Sequence, residues 1–212
     1  MDQDDALIAR LSADLRPVRP QRPHAGWGLL ALAVLGTAAL VHLGFGLKPG
    51  IVLSPDGRWV LLAELVLAAL GLACALAVVA MASPSRTARP AAFWLVAAAS
   101  LLPVAGLVVL AVPGFGDGAV HSEQGHWECA LWGSVSSLLT AAVLVGWLRR
   151  GAPASPARAG LYTGLASGAL GSAIYGLSCP ITGFEHWALW HFLPVLACGL
   201  VGRLALPRLL RW

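Results

Sequence analysis

Six long apolar stretches divide this chain, and they constrain its fold more than any other feature of the sequence. They lie at about 27–46, 57–82, 90–112, 127–148, 157–178 and 187–206. About 20 apolar residues in a helix cross the hydrocarbon core of a bilayer, where backbone groups find no water partners. Apolar residues make up 58% of the chain and charged residues only 11%, a balance too apolar for a soluble domain. The sequence therefore predicts an all-α integral membrane protein with six transmembrane helices.

The basic residues lie almost entirely on one side of these spans. An even number of spans puts both termini on the same side, and 12 of the 14 basic residues fall on that side. Only Lys48 and Arg58 lie opposite. Because short cytoplasmic segments retain Lys and Arg, we expect an N-in/C-in topology. The arginines are scattered singly between spans, so we expect no direct nucleic-acid binding despite a pI near 9.2.

The chain divides into a cytoplasmic N-terminal segment (1–26), a six-helix transmembrane domain (27–206) and a cytoplasmic C-terminal tail (207–212). In the first segment, four apolar residues form one stripe of a helix: Leu7, Ile8, Leu11 and Leu15. This helix is too short to be stable alone in water, so its stripe requires a partner. The membrane surface, the chain's own loops and a cytoplasmic protein are the alternatives. The four acidic residues of the segment balance its four arginines, which weakens the first alternative.

The reactive side chains gather on the side opposite to the arginines. Cys129 and Cys179 lie there with five of the six histidines, among them His126, His186 and His191. Thiolates and imidazoles together are the ligands of zinc, copper and other soft or borderline metals. The cysteine pair therefore has three interpretations: a metal site with these histidines, a disulfide, or thiols that react with oxidants.

Two expectations about this cluster are geometric. His186 and His191 are five residues apart, so they share the face of an α-helix poorly, and we expect at most one of them to join Cys179 directly. A separation of about 2 Å between the sulfurs of Cys129 and Cys179 means a disulfide. A separation of about 4 Å, with imidazoles around the pair, indicates a metal site.

The sequence gives weaker indications for other polar residues in the spans. Glu64 lies about two turns inside the second span, a costly depth for a carboxylate. It either reaches back to the interface, beside Arg58 or His42, or contributes to sensing. Cys74 and Cys198 are deep in their spans, and we interpret both as packing residues.

Small residues and prolines predict where the helices pack and bend. Gly160, Gly164 and Gly168 recur at every fourth residue of the fifth span. Such a stripe allows another helix to approach closely. Pro194 predicts a local kink in the sixth span.

Several short segments occur together in an order and spacing that resemble a known family. They are Leu15-Arg16-Pro17-Val18, Arg149-Arg150-Gly151-Ala152-Pro153, Cys179-Pro180 with Trp190-His191 and Pro194 downstream, and the closing Leu209-Leu210-Arg211-Trp212. This pattern resembles the NrsF-like family of proteobacterial membrane anti-sigma factors, formerly a domain of unknown function. The resemblance covers essentially the whole chain.

The resemblance implies a multi-pass protein of the bacterial inner membrane. Members of this family hold an extracytoplasmic-function sigma factor through their cytoplasmic N-terminal segment. They release it when their outer face meets a stress such as heavy metal. Cysteines of the second and third outer loops are implicated in sensing, and Cys129 and Cys179 match them by order and placement. The residues that contact sigma carry over only as a segment.

Other classes of protein agree less well with the sequence. A membrane thiol oxidoreductase normally has paired cysteines, whereas the four cysteines here form no CxxC pair. A metal transporter requires polar residues at the midplane of several helices. A passive assembly scaffold would need neither cysteine. We therefore expect a regulator without enzymatic activity, and the oligomeric state stays open.

Overall fold

The regular elements of the described chain are helical. The structure, a computed structural model, describes residues 3–13, 21–51, 55–84, 126–181 and 183–210, together with residues 98, 101, 104, 105 and 108. Within these ranges the elements are α1 Gln3–Ala13, α2 Pro23–Phe45, α3 Pro55–Met81, α4 His126–Ser136, α5 Leu138–Arg149, α6 Pro156–Gly176, α7 Phe184–His186, a π-helical segment Trp187–His191, and α8 Leu193–Leu209. The predicted all-α class is confirmed for this part of the chain.

Four of the six predicted spans coincide with helical stretches long and apolar enough to cross a membrane. Among the described residues these stretches are Pro23–Phe45, Arg58–Met81, Trp127–Arg149 and Trp187–Leu209. The third predicted span, 90–112, lies outside the described residues except for five separate helical positions. Insertion into a membrane and the N-in/C-in topology stay predictions.

The fifth predicted span corresponds to α6, which is the central helix of the bundle. It packs against α2, α3, α4, α5 and α8, and from Ala159 to Gly176 only Leu161 is not fully buried. Because protein covers α6 on nearly every side, small residues replace the large aliphatic ones that are exposed on the outside of α2 and α8.

The glycines of α6 allow the closest contact between two helices. A Cβ atom at Gly164 would overlap the carbonyl oxygen of Cys198, and one at Gly160 would overlap the carbonyl oxygen of Gly202. Gly168 faces the backbone of Pro194 in the same way. The predicted packing role of this stripe is therefore confirmed, with α8 as the partner helix.

Large apolar side chains cover the outside of the bundle. On α2 and α8 the exposed ones are Leu32, Leu35, Leu40, Leu43, Leu200, Val201 and Leu204. A continuous apolar exterior of this kind suits contact with lipid rather than water.

The helix termini of the described chain gather at two distinct ends of the bundle. At the arginine end, defined here by residues 21–26, 79–82 and 147–156, the amide of Gln21 donates to the carbonyl of Trp147 at 2.9 Å. The indole N–H of Trp147 donates to Val79 at 3.3 Å, and the N–H of Ala152 donates to Ala82 at 2.9 Å. At the other end, which we call the cysteine end, lie residues 42–51, 58–64, 126–129 and 175–191. The chain that enters α2 is thus tied to α3 and α5.

Candidate metal centre

Three parts of the chain bring reactive side chains together at the cysteine end. Cys129 lies in the first turn of α4, and Cys179 lies in the loop after α6. His186 directly precedes the π-helical segment, and His191 is its last residue. The exposed fractions of these four residues are only 4, 1, 2 and 2%, respectively.

The four side chains form one compact cluster. The Sγ atoms of Cys129 and Cys179 are 3.5 Å apart and are not bonded to each other. The Sγ atom of Cys179 lies 3.6 Å from Nε2 of His186. One nitrogen or sulfur atom from each of these two cysteines, His186 and His191 lies within 4.8 Å of those of the other three. We call this group the Cys₂His₂ cluster.

The loop that carries Cys179 is held by the end of α2. The Nζ atom of Lys48 donates to the carbonyl of Pro180 at 2.8 Å, and the backbone N–H of Lys48 donates to Leu177 at 2.9 Å. Nδ1 of His42 lies 3.0 Å from the hydroxyl of Ser178. Lys48 and His42 therefore position Cys179 without joining the cluster themselves.

The expectation that at most one of His186 and His191 reaches Cys179 was wrong. Both imidazoles interact with its thiol. The expectation assumed a regular α-helix, whereas residues 187–191 are π-helical. Hydrogen bonds of a π-helix join residues five apart, so residues at this spacing share a face. Pro194, which lacks an N–H, follows immediately in the first turn of α8.

Glu64 is turned into the bundle instead of towards the interface. Its exposed fraction is 4%, and its Oε1 lies 3.2 Å from Nδ1 of His191. Trp187 lines the same small cavity as this carboxylate. A Cβ atom at Gly176 would overlap that carboxylate. Of the two interpretations of Glu64, reaching back to the interface is therefore wrong, and Glu64 adjoins the cluster through His191.

The cluster has dimensions that suit a tetrahedral metal ion. With metal–sulfur bonds of about 2.3 Å and metal–nitrogen bonds of about 2.05 Å, two sulfurs would lie about 3.8 Å apart and a sulfur and a nitrogen about 3.6 Å apart. The observed 3.5 and 3.6 Å are close to these values. The hydrogen bond with Cys129 and burial both raise the pKa of the Cys179 thiol, so metal binding at this thiol displaces a proton.

Some of the predicted site residues lie outside what the structure describes. The backbone of His126 begins α4, but its side chain is not among those described, and Leu15 lies outside the described residues. The structure therefore groups four of the five predicted ligands and says nothing of the fifth. Metal binding itself stays a prediction.

The apolar stripe of the N-terminal segment is exposed. Leu7, Ile8 and Leu11 lie on α1 with exposed fractions of 56, 63 and 67%. Asp4 and Asp5 occupy the first turn of this helix, where negative charge is favourable. The described bundle does not cover the stripe, so its partner stays open among the membrane surface, loops outside the described residues and another protein.

Comparison with known protein families gives a match over nearly the whole chain. The model of the family "NrsF: Negative regulator of sigma F" matches residues 11–212.

The chain belongs to the NrsF family.

The sequence of a relative from this family aligns with the chain over its full length. The anti-sigma-F factor NrsF of Caulobacter vibrioides (strain NA1000 / CB15N) is 32% identical over 218 residues, which cover 100% of this chain and 98% of that protein. No solved structure matches the chain. The resemblance seen in the sequence is therefore confirmed, and NrsF membership assigns the chain an anti-sigma role, which is regulatory rather than catalytic.

Proposed function

We propose that this protein is an inner-membrane anti-sigma factor that sequesters an extracytoplasmic-function sigma factor through residues 1–26. It releases the sigma factor when Cys129 and Cys179, at the periplasmic face, react with a metal ion or an oxidant. The observation that carries this proposal is the match to the NrsF family over residues 11–212, together with the Cys₂His₂ cluster at the end of the bundle opposite to the N-terminal segment.

The exposed stripe of α1 supports the sigma-binding part of the proposal. An amphipathic helix with three large apolar side chains exposed to solvent lies readily in an apolar groove of a partner protein. The segment carries no net charge of its own, so it has little electrostatic attraction to anionic lipid. A cytoplasmic protein is therefore the better partner.

The Cys₂His₂ cluster supports the sensing part. A ligand shifts a conformational equilibrium only if it interacts differently with the two states. Bridging Cys129 on α4 to Cys179 on the loop after α6, by a metal ion or by a disulfide, would favour bundle arrangements in which these elements are close. That change would reach the arginine end, where Gln21 joins the N-terminal segment to the carbonyl of Trp147.

Charge on the α1 stripe tests the sigma-binding part. In the full-length protein, we expect Leu7→Asp with Leu11→Asp to abolish co-purification of the sigma factor encoded nearby and to turn on a sigma-dependent reporter without stress. The reason is that two carboxylates would have to be desolvated in the apolar contact.

The matched control places the same charge on the other side of α1. Ala9→Asp with Ala13→Asp lies on the opposite face of the helix, and both positions are exposed. This variant should retain the sigma factor. Retention of sigma by the Leu7/Leu11 variant, at normal membrane abundance, would contradict the assigned binding stripe.

One observation favours a second candidate, a membrane thiol oxidoreductase. The sequence argument against it was that the cysteines lie in separate loops, yet Cys129 and Cys179 are 3.5 Å apart, close enough to exchange between dithiol and disulfide. Multiple turnovers of thiol oxidation by the purified protein with a quinone acceptor would support this candidate, whereas a single stoichiometric reaction would fit a sensor.

A further inference from the structure

Among the side chains that the structure describes, Glu64 is a buried acidic one beside the Cys₂His₂ cluster, yet it is not one of the four ligand candidates. A carboxylate inside a membrane-spanning helix is costly unless it is paired, and Glu64 is 4% exposed. The cavity beside it has a volume of about 10 Å³, room for about one water molecule. That space is too small for an organic ligand, so the role of Glu64 must involve its protein neighbours.

The nearest of these neighbours is His191, which has partners on two sides. Nδ1 of His191 lies 3.2 Å from Oε1 of Glu64, and the same ring interacts with the thiol of Cys179. An imidazole with its proton on Nδ1, facing a carboxylate, presents a lone pair on Nε2. This is the tautomer that a histidine needs in order to bind a metal ion through Nε2.

The surroundings hold both members of this pair in place. The hydroxyl of Ser172 donates to the carbonyl of His191 at 2.6 Å, and the ring of Tyr175 stacks on the imidazole with centroids 6.3 Å apart. The position of Gly176 leaves room for the carboxylate of Glu64, because any Cβ atom there would overlap it.

We propose that Glu64 is the positioning residue of a four-ligand site for Zn²⁺ or Cd²⁺. Its carboxylate faces Nδ1 of His191, fixes the tautomer and orientation of that ring, and directs the second nitrogen towards Cys129, Cys179 and His186. This inference rests on the proposed function, since it concerns the same cluster. Carboxylate partners of this kind affect metal affinity by about 10- to 100-fold.

Metal binding by the purified full-length protein in detergent tests the proposal. Cd²⁺ is titrated and followed by its thiolate charge-transfer absorbance, and Zn²⁺ by competition with a chromophoric chelator. We expect Glu64→Gln to lower the affinity for both ions by about 10- to 100-fold, while the thiolate absorbance at saturation stays unchanged because both cysteines still bind.

A matched control distinguishes the effect of the position of Glu64 from the effect of removing a negative charge near the cluster. Glu128→Gln removes an acidic side chain that is next to Cys129 in sequence but exposed, and it should leave both affinities at the wild-type level. His191→Ala should lower them at least as much as Glu64→Gln. Adding Glu64→Gln to His191→Ala should have no further effect, because Glu64 acts through His191. A persistent effect in that background would overturn the positioning role.

A second variant covers the case in which Glu64→Gln does not fold. Gly176→Ala keeps the carboxylate but displaces it, and we expect a similar loss of affinity at unchanged helical circular dichroism. Gly146→Ala, where a Cβ atom meets nothing within 4 Å, is its control.

The outcomes distinguish this inference from the function on which it rests. Wild-type affinity in folded Glu64→Gln, combined with loss of binding in Cys129→Ser, would overturn the role of Glu64 and leave metal sensing standing. Absence of Zn²⁺ and Cd²⁺ binding in the wild-type protein would overturn the role of Glu64 and the metal-sensing part of the proposed function, and it would leave sigma binding and the response to oxidants standing.

Discussion

Lys48 is one of only two basic residues on the outer side of the predicted spans, and in the structure it holds the loop that carries Cys179. Its side chain and its backbone each hold a carbonyl of the loop that carries Cys179. His42 lies against the hydroxyl of Ser178 in the same loop. These contacts keep the thiol of Cys179 beside the imidazoles rather than in solvent, so the loop is ordered by the protein before any ligand arrives.

The four cysteines differ sharply in their surroundings, which leads to a prediction at the scale of single residues. Cys129→Ser or Cys179→Ser should each abolish the Cd²⁺ response of a sigma-dependent reporter, because either substitution removes a soft ligand from the cluster. Reporter activity with and without added Cd²⁺ is the measurement.

Cys198 supplies the control for this prediction. Its thiol lies 3.5 Å from the hydroxyl of Ser137, far along α8 from the cluster, and Cys198→Ser should respond like the wild type. A passive scaffold, by contrast, would tolerate all three serine substitutions equally.

At the scale of elements, the contact between α6 and α8 is the helix contact of the described bundle that leaves the least room for side chains. Four glycines bring the two backbones together: Gly160, Gly164, Gly168 and Gly202. A methyl group at any of them requires one helix to move, and helices packed this closely in a membrane depend on small residues at the contact.

A single alanine substitution tests this contact. We expect Gly164→Ala to destabilise the protein by about 1–3 kcal/mol, because its Cβ atom would overlap the carbonyl of Cys198. Thermal unfolding in detergent, followed by circular dichroism, is the measurement. Gly146→Ala, on the exposed side of α5, should be neutral or slightly stabilising. Equal stability of the two variants would argue against the close α6–α8 contact.

At the scale of the whole molecule, the two ends of the bundle hold different groups of residues. The arginine end joins the N-terminal segment to α3 and α5 through Gln21, Trp147 and Val79. The cysteine end carries the cluster and its positioning residues. Since α3 contains both Glu64 and Val79, one continuous helix runs from the neighbour of the cluster to the attachment of the N-terminal segment.

Fusions to reporter proteins test the predicted topology. Alkaline phosphatase inserted after Gly50, in the turn that follows α2, should be active, because this enzyme requires the periplasm. A fluorescent protein that matures only in the cytoplasm should fluoresce when fused to either terminus. The reverse pattern would place the cluster in the cytoplasm and exclude periplasmic sensing.

The all-α class of the described residues, four of the apolar helical stretches and the family were predictable from the sequence. Hydropathy and the asymmetry of the arginines are local properties of the chain, and the glycine stripe on α6 follows from spacing alone. Cys129 and Cys179 could be grouped because alternating spans bring every second loop to the same end. These conclusions do not depend on the rotational orientation of each helix about its own axis.

Only the tertiary structure decided which side chains meet within that end. The π-helical segment joined His186 and His191, although a regular helix would have separated them. The pairing of Glu64 with His191 depends on the orientation of α3 and on the space left by Gly176. Sequence patterns set which residues share one end of the bundle, whereas contacts between helices set which atoms come within bonding distance.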